Sequence, residues 1–107
     1  MAATLAAFYK RPEGGDEELA TFWQRYRNEH MPLIDKLPGL RGTKVWNVNR
    51  NYSGEDLVAV CFMDFDDKAA LKAAMASEEM AAAGKSLGEI TSPGMLTLVA
   101  MEPDEEA

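Results

Sequence analysis

Leu57-Val58-Ala59-Val60-Cys61-Phe62-Met63-Asp64-Phe65 is the stretch that decides the fold. Nine residues rich in β-branched and aromatic side chains predict a strand. Side chains alternate across a strand, so Leu57, Ala59, Cys61, Met63 and Phe65 line one face and Val58, Val60 and Phe62 the other. Both faces are apolar, which predicts a strand covered on both sides. Asp64 is its one charge, expected at a rim or paired with Lys44 or Arg50. Met95 to Met101 repeats the pattern, with Leu96, Leu98 and Ala100 opposing Met95, Thr97, Val99 and Met101.

Working outward, Leu40 to Asn49 and Thr4 to Tyr9 supply two more strands, bounded by the turns Asn51-Tyr52-Ser53-Gly54 and Arg11-Pro12-Glu13-Gly14-Gly15. Between the first two strands, Leu19, Phe22, Trp23, Tyr26 and His30 recur at helical spacing and form one apolar stripe. Asp16 is the expected N-cap, with Glu17 and Glu18 in the first turn. Pro32 is expected to kink or stop this helix, opening at most a short turn from Leu33 to Lys36. Asp66 is expected to cap a helix over 67–76, and Ser77 another over 78–87. Both are rich in alanine, which reads as tight packing. The order β-α-β-β-α-β predicts an α+β, ferredoxin-like domain: a four-stranded antiparallel sheet with helices on one face. The 107 residues make one domain, 1–107, with an acidic, disordered tail at 102–107. A chain this short has helix enough for one face only. Leaving the second apolar face wet exceeds what monomers tolerate, so a symmetric homodimer pairing sheet against sheet is expected.

Composition narrows the function. With 11 basic and 18 acidic residues the net charge is −7. A nucleic-acid partner or an anionic membrane surface calls for the opposite balance, so neither is expected. One cysteine and one histidine, Cys61 and His30, give no disulfide and no Cys/His zinc site. Asp64, Asp66 and Asp67 could be grouped as a hard-metal site, but a helix cap explains Asp66 better, so no metal is expected. There is no nucleotide-binding glycine fingerprint, no membrane-length apolar run, and no positive region like that of a signal peptide. A cytoplasmic location is the default expectation.

Phe22 to Leu33, ending in His30-Met31-Pro32-Leu33, and then Leu37-Pro38-Gly39-Leu40-Arg41 resemble the EthD family. Its pattern is an aromatic-rich helix ending in His-x-Pro-Leu, followed by Leu-Pro-Gly. Tyr9-Lys10-Arg11-Pro12, Phe65 to Leu71 and Ala76 to Glu79 are also similar to it. The resemblance implies a dimeric α+β barrel. Its chemistry is implied only loosely: members accompany ether-degrading monooxygenases, and relatives include cyclases or dehydratases that use the helix-end histidine, cofactor-free oxygenases and haem-degrading enzymes.

His30 admits two readings. Near a helix C-terminus the dipole favours its charged form while burial favours the neutral one, which would leave a pKa near neutrality suited to general acid–base catalysis. Otherwise it is a buried histidine bonding the carbonyls freed before Pro32. Tyr9, Phe22, Tyr26, Trp46 and Met63 are the expected substrate-binding residues, since aromatic and methionine walls with few polar tips make small-molecule sites. Tyr52, Met31, Met75 and Met80 are further candidates, and Cys61 is expected to be an inert buried thiol. Three functions follow. The first is a cofactor-independent enzyme on a small hydrophobic or aromatic metabolite, dehydrating, cyclising or isomerising it with His30 moving the proton. The second is a non-catalytic dimer that holds such a ligand for an oxygenase pathway. The third is a haem-binding protein with His30 as axial ligand, or a cofactor-free monooxygenase. No cofactor is assigned.

Overall fold

The computed structural model describes residues 2–107. Strand β1 (Ala3–Lys10) is followed by helix α1 (Gly15–Arg25), a π-turn (Tyr26–His30) and helix α2 (Met31–Ile34). Strands β2 (Leu40–Asn47) and β3 (Leu57–Phe65), helices α3 (Lys68–Met75) and α4 (Glu78–Ile90), and strand β4 (Leu96–Met101) complete the chain. The sheet order is β2-β3-β1-β4, antiparallel throughout, which is the ferredoxin-like arrangement. Residues 102–107 take no regular structure beyond a turn, closed by the Glu106 amide donating to Asp104.

The core lies between the helices and one face of the sheet. Leu5, Ala7 and Tyr9 of β1 and Ala59, Cys61, Met63 and Phe65 of β3 face it, all buried, against Phe22, Tyr26, Leu71, Ala74, Ala83 and Leu87. On the opposite face stand Phe8, Val60, Phe62, Trp46 and Val99, with Phe8 and Phe62 edge to face at 6.4 Å. Trp46 is 53% exposed and Val99 36%. The molecule measures 39 × 34 × 20 Å, a two-layer slab with one apolar face uncovered.

The helix starts depart from expectation at two of three places. At α1 the Asp16 side chain caps nothing. Glu18 reaches back to accept the Gly14 N–H at 2.6 Å, and its other oxygen accepts from Ser92 at 2.7 Å, so the orphan donor is met by a residue one turn in. At α3 the cap is Asp67, accepting from Ala70 N–H at 2.8 Å, while Asp66 pairs with Arg41 at 3.1 Å. Ser77 caps α4 as its sequence implies, accepting from Met80 N–H. Each such cap contributes about 1 kcal/mol. Of the two readings of Asp64 the rim holds: the side chain is exposed, and its carboxylate accepts from Thr4 Oγ1 at 2.7 Å in place of an ion pair with Lys44 or Arg50. Gly39, at φ +76°, makes the turn into β2 beside Phe65 and Ala70, a conformation that a side chain would strain.

Pro32 does not end the first helix. The chain widens instead into the π-turn, where Met31 N–H bonds the Tyr26 carbonyl, and runs on helically to Ile34 with Pro32 in the first turn of α2. A wide turn absorbs the missing proline N–H, and such turns concentrate at functional sites.

Candidate functional site

The π-turn carries Tyr26 and His30 inward, both buried, with ring centroids 5.1 Å apart. Tyr26 also packs against Tyr9, Phe22 and Trp23, giving a continuous aromatic cluster. Tyr9 and Tyr26 join hydroxyls at 3.2 Å. Arg25 fixes the turn from outside. It donates twice to Glu29, at 2.8 and 3.1 Å, and once to the Glu89 carbonyl of α4 at 3.2 Å.

Beside this cluster lies a cavity of about 140 Å³ between α4 and the sheet. Its walls are Leu5, Ala7 and Tyr9 of β1, Met63 of β3, Leu96 and Leu98 of β4, His30 and Ile34, and the α4 face Met80, Ala83, Gly84, Leu87, Gly88 with Thr91 after it. Among the described residues no charged side chain lines it. The helices leave Leu98 42% exposed, so the cavity is not sealed on the β4 side.

His30 is the chemically distinctive wall. Only 2% of it is exposed, and Nδ1 has no hydrogen-bond partner among the described residues. Burial pushes its pKa down to about 4, with the Ala83 backbone pulling more weakly the other way. The expected balance with the helix dipole does not arise, because the helix continues past His30 through α2 and no C-terminus lies there. Nor does the ring bond carbonyls freed before Pro32, since the π-turn re-pairs the backbone. At neutral pH the ring is therefore uncharged. Burial raises the phenol pKa of Tyr9 and Tyr26 well above the ordinary value, so both stay protonated. Cys61 is buried and its thiol is pushed up by burial as well.

Of the residues singled out from sequence, His30, Tyr9, Met63 and Met80 meet at the cavity. Phe22 and Tyr26 stand behind it in the core, supporting Tyr9 and His30. Trp46 is on the opposite side of the sheet, because its register with Val60 puts it on the uncovered face. Tyr52 is 89% exposed in a loop, with Arg50 over its ring. Met31 and Met75 do not line the cavity. The α4 residues Gly84 and Gly88, and Leu96 and Leu98 of β4, escaped the sequence reading. The available signal was a pair of glycines four apart inside an alanine-rich helix. Among the described residues no group of three His, Cys, Asp or Glu side chains is placed to hold a metal, and no helix is long and apolar enough to cross a membrane.

The EthD domain family matches residues 15–90. An ethyl tert-butyl ether D (EthD) family protein from Bacillus halodurans is 35% identical, with 97% of this chain and 100% of that one covered at a TM-score of 0.83. A dimeric protein of ferredoxin-like fold from Bacteroides fragilis is 24% identical over 94% of this chain and 95% of its own, with a TM-score of 0.67. A cofactor-independent oxygenase from Streptomyces nogalater is 12% identical over 97% and 93%, with a TM-score of 0.62. The last two show likeness of fold alone. No curated protein matches the chain significantly.

Proposed function

The chain belongs to the EthD domain family, and from that premise we propose that it is a homodimer whose cavity takes a small, uncharged, hydrophobic molecule and that His30 draws a proton from it without a cofactor. The observation that carries the reading is the unpartnered Nδ1 of a buried, neutral imidazole in the wall of an apolar cavity. An unmet buried polar group costs about 1–3 kcal/mol, and a ligand group that meets it recovers that cost. A ring that is neutral at pH 7 is free to accept a proton. The resulting imidazolium is costly in an apolar site unless the substrate develops the opposite charge beside it, which ties the proton transfer to a bound molecule that becomes anionic. The Tyr9 hydroxyl donates to Tyr26 at 3.2 Å, so Tyr9 walls the cavity with its ring and the developing charge is steadied by the imidazolium itself. A charged ligand would meet no counter-charge here. The Streptomyces nogalater oxygenase, cofactor-independent by description, is a precedent for cofactor-free chemistry on this fold. The cavity volume of about 140 Å³ is on the scale of a single ring, which favours a small molecule over a haem as its ligand.

Cyclohexanone separates the catalytic reading from a carrier role. It is uncharged, ring-sized, and has exchangeable protons beside its carbonyl. Calorimetry is expected to show binding to the wild type, and proton NMR in D2O to show protein-dependent exchange of those protons that disappears in His30→Ala. Binding with no exchange above buffer favours the non-catalytic dimer. No binding removes both.

A further inference from the structure

Gly84 sits in the middle of α4 after three alanines, where glycine is about 1 kcal/mol less favourable than alanine, and Gly88 lies in the last turn of the same helix. Packing does not require them. A Cβ built on either meets nothing within 4 Å, and neither has a positive φ. Both are exposed, and both line the His30 cavity. Four residues of helix rise about 6 Å, so the two leave a side-chain-free strip about as long as a six-membered ring. Across the gap the sheet presents another small residue, Ala7, flanked by Leu96 and Leu98. Beyond the strip lies a second, independent feature: His30, 98% buried by its 2% exposure, with its unpartnered Nδ1.

We propose that Gly84 and Gly88 form the mouth of the cavity and set its size limit, admitting flat or ring-shaped uncharged molecules that slide between the α4 backbone and β4 to reach His30. The proposal rests on the reading of the cavity as a small-molecule site and adds which residues select the ligand. The ligand class is an uncharged single-ring compound with one acidic hydrogen, such as a C–H beside a carbonyl: the ring lies on the glycine strip and that hydrogen meets the Nδ1 of His30. A side chain at either glycine takes the place of the ring edge. The helix thus gives up local stability to keep the entrance clear.

Opposite changes in stability and binding make the test specific. The double variant Gly84→Ala/Gly88→Ala is expected to raise Tm by several degrees, because alanine favours the helix and meets no clash. It is also expected to weaken cyclohexanone binding at least tenfold by calorimetry. Gly84→Leu, still a good helix former, is expected to abolish it. Lys85→Ala, one position off the strip, is expected to leave it unchanged. If the wild type binds cyclohexanone and the stabilised double variant binds it within twofold, the glycines do not form the mouth and the proposal falls while the cavity reading stands. If the wild type binds no cyclohexanone, the cavity reading falls and takes the proposal with it.

Discussion

His30→Phe is expected to make the protein more stable at pH 7.5, by about 1–3 kcal/mol, while abolishing proton exchange. The phenyl ring keeps the contact with Tyr26 and removes the buried nitrogen that has no partner. The same variant is expected to lose much of the acid sensitivity of the fold. In the unfolded chain the imidazole titrates at its ordinary value of 6.5, and in the folded chain burial takes it down to about 4. Between these pH values the unfolded chain holds a proton that the folded chain does not. The contribution of the neutral ring is therefore complete above pH 6.5 and is lost as pH falls toward 4. The size of the loss is about 3 kcal/mol. Urea unfolding at pH 7.5, 5.5 and 4.5, at one protein concentration, measures both effects. A His30→Phe protein that is several kcal/mol less stable, or that keeps the wild-type dependence between pH 6.5 and 4, would mean that the ring is satisfied in the folded protein.

Phe62→Glu is expected to convert a stable dimer into a monomer at micromolar concentration. Phe62 lies mid-strand on the uncovered face, beside Phe8 and in register with Lys44 and Ala6. In a symmetric pairing of this face with itself, one substitution buries two carboxylates per dimer, each costing several kcal/mol. The cavity is on the other side of the sheet, so the monomer is expected to keep cyclohexanone binding. Light scattering decides the matter. A wild type that is monomeric at micromolar concentration, or a Phe62→Glu protein that remains dimeric, would overturn the sheet-to-sheet assembly.

How far the sequence could be read depended on the range of the interactions involved. The alternation from Leu57 to Phe65 fixes a strand with those same ends and sorts its faces from Ala59 onward, because the period of a strand is a local property; the register shift opposite Tyr9 and Lys10 breaks it at the start, and Val58, expected on the other face, is buried in the core beside Ala59. Ser77 was readable as a cap for the same reason. Asp66 and Asp67 are adjacent carboxylates, and only the partner Arg41, 25 positions earlier in the chain, separates their roles. Pro32 reads as a stop, yet a π-turn accommodates it and moves the helix end away from His30, which removes the dipole that would have held the ring near neutrality. Trp46 shows the limit most plainly. Its chemistry suits a binding pocket, but a pairing register with Val60 that no local pattern encodes turns it to the far face. Gly84 and Gly88 read only as permissive residues until the empty space beside them is seen.

Because the chain has one histidine, its ring NMR signals can be assigned without ambiguity, and following them against pH with and without cyclohexanone tests the central claim directly. A midpoint near pH 4 in the free protein, together with a clear shift of the ring nitrogen signals at pH 7 on saturation, is the predicted result. A midpoint near 6.5, or ring signals that do not respond while cyclohexanone binds elsewhere, would contradict it.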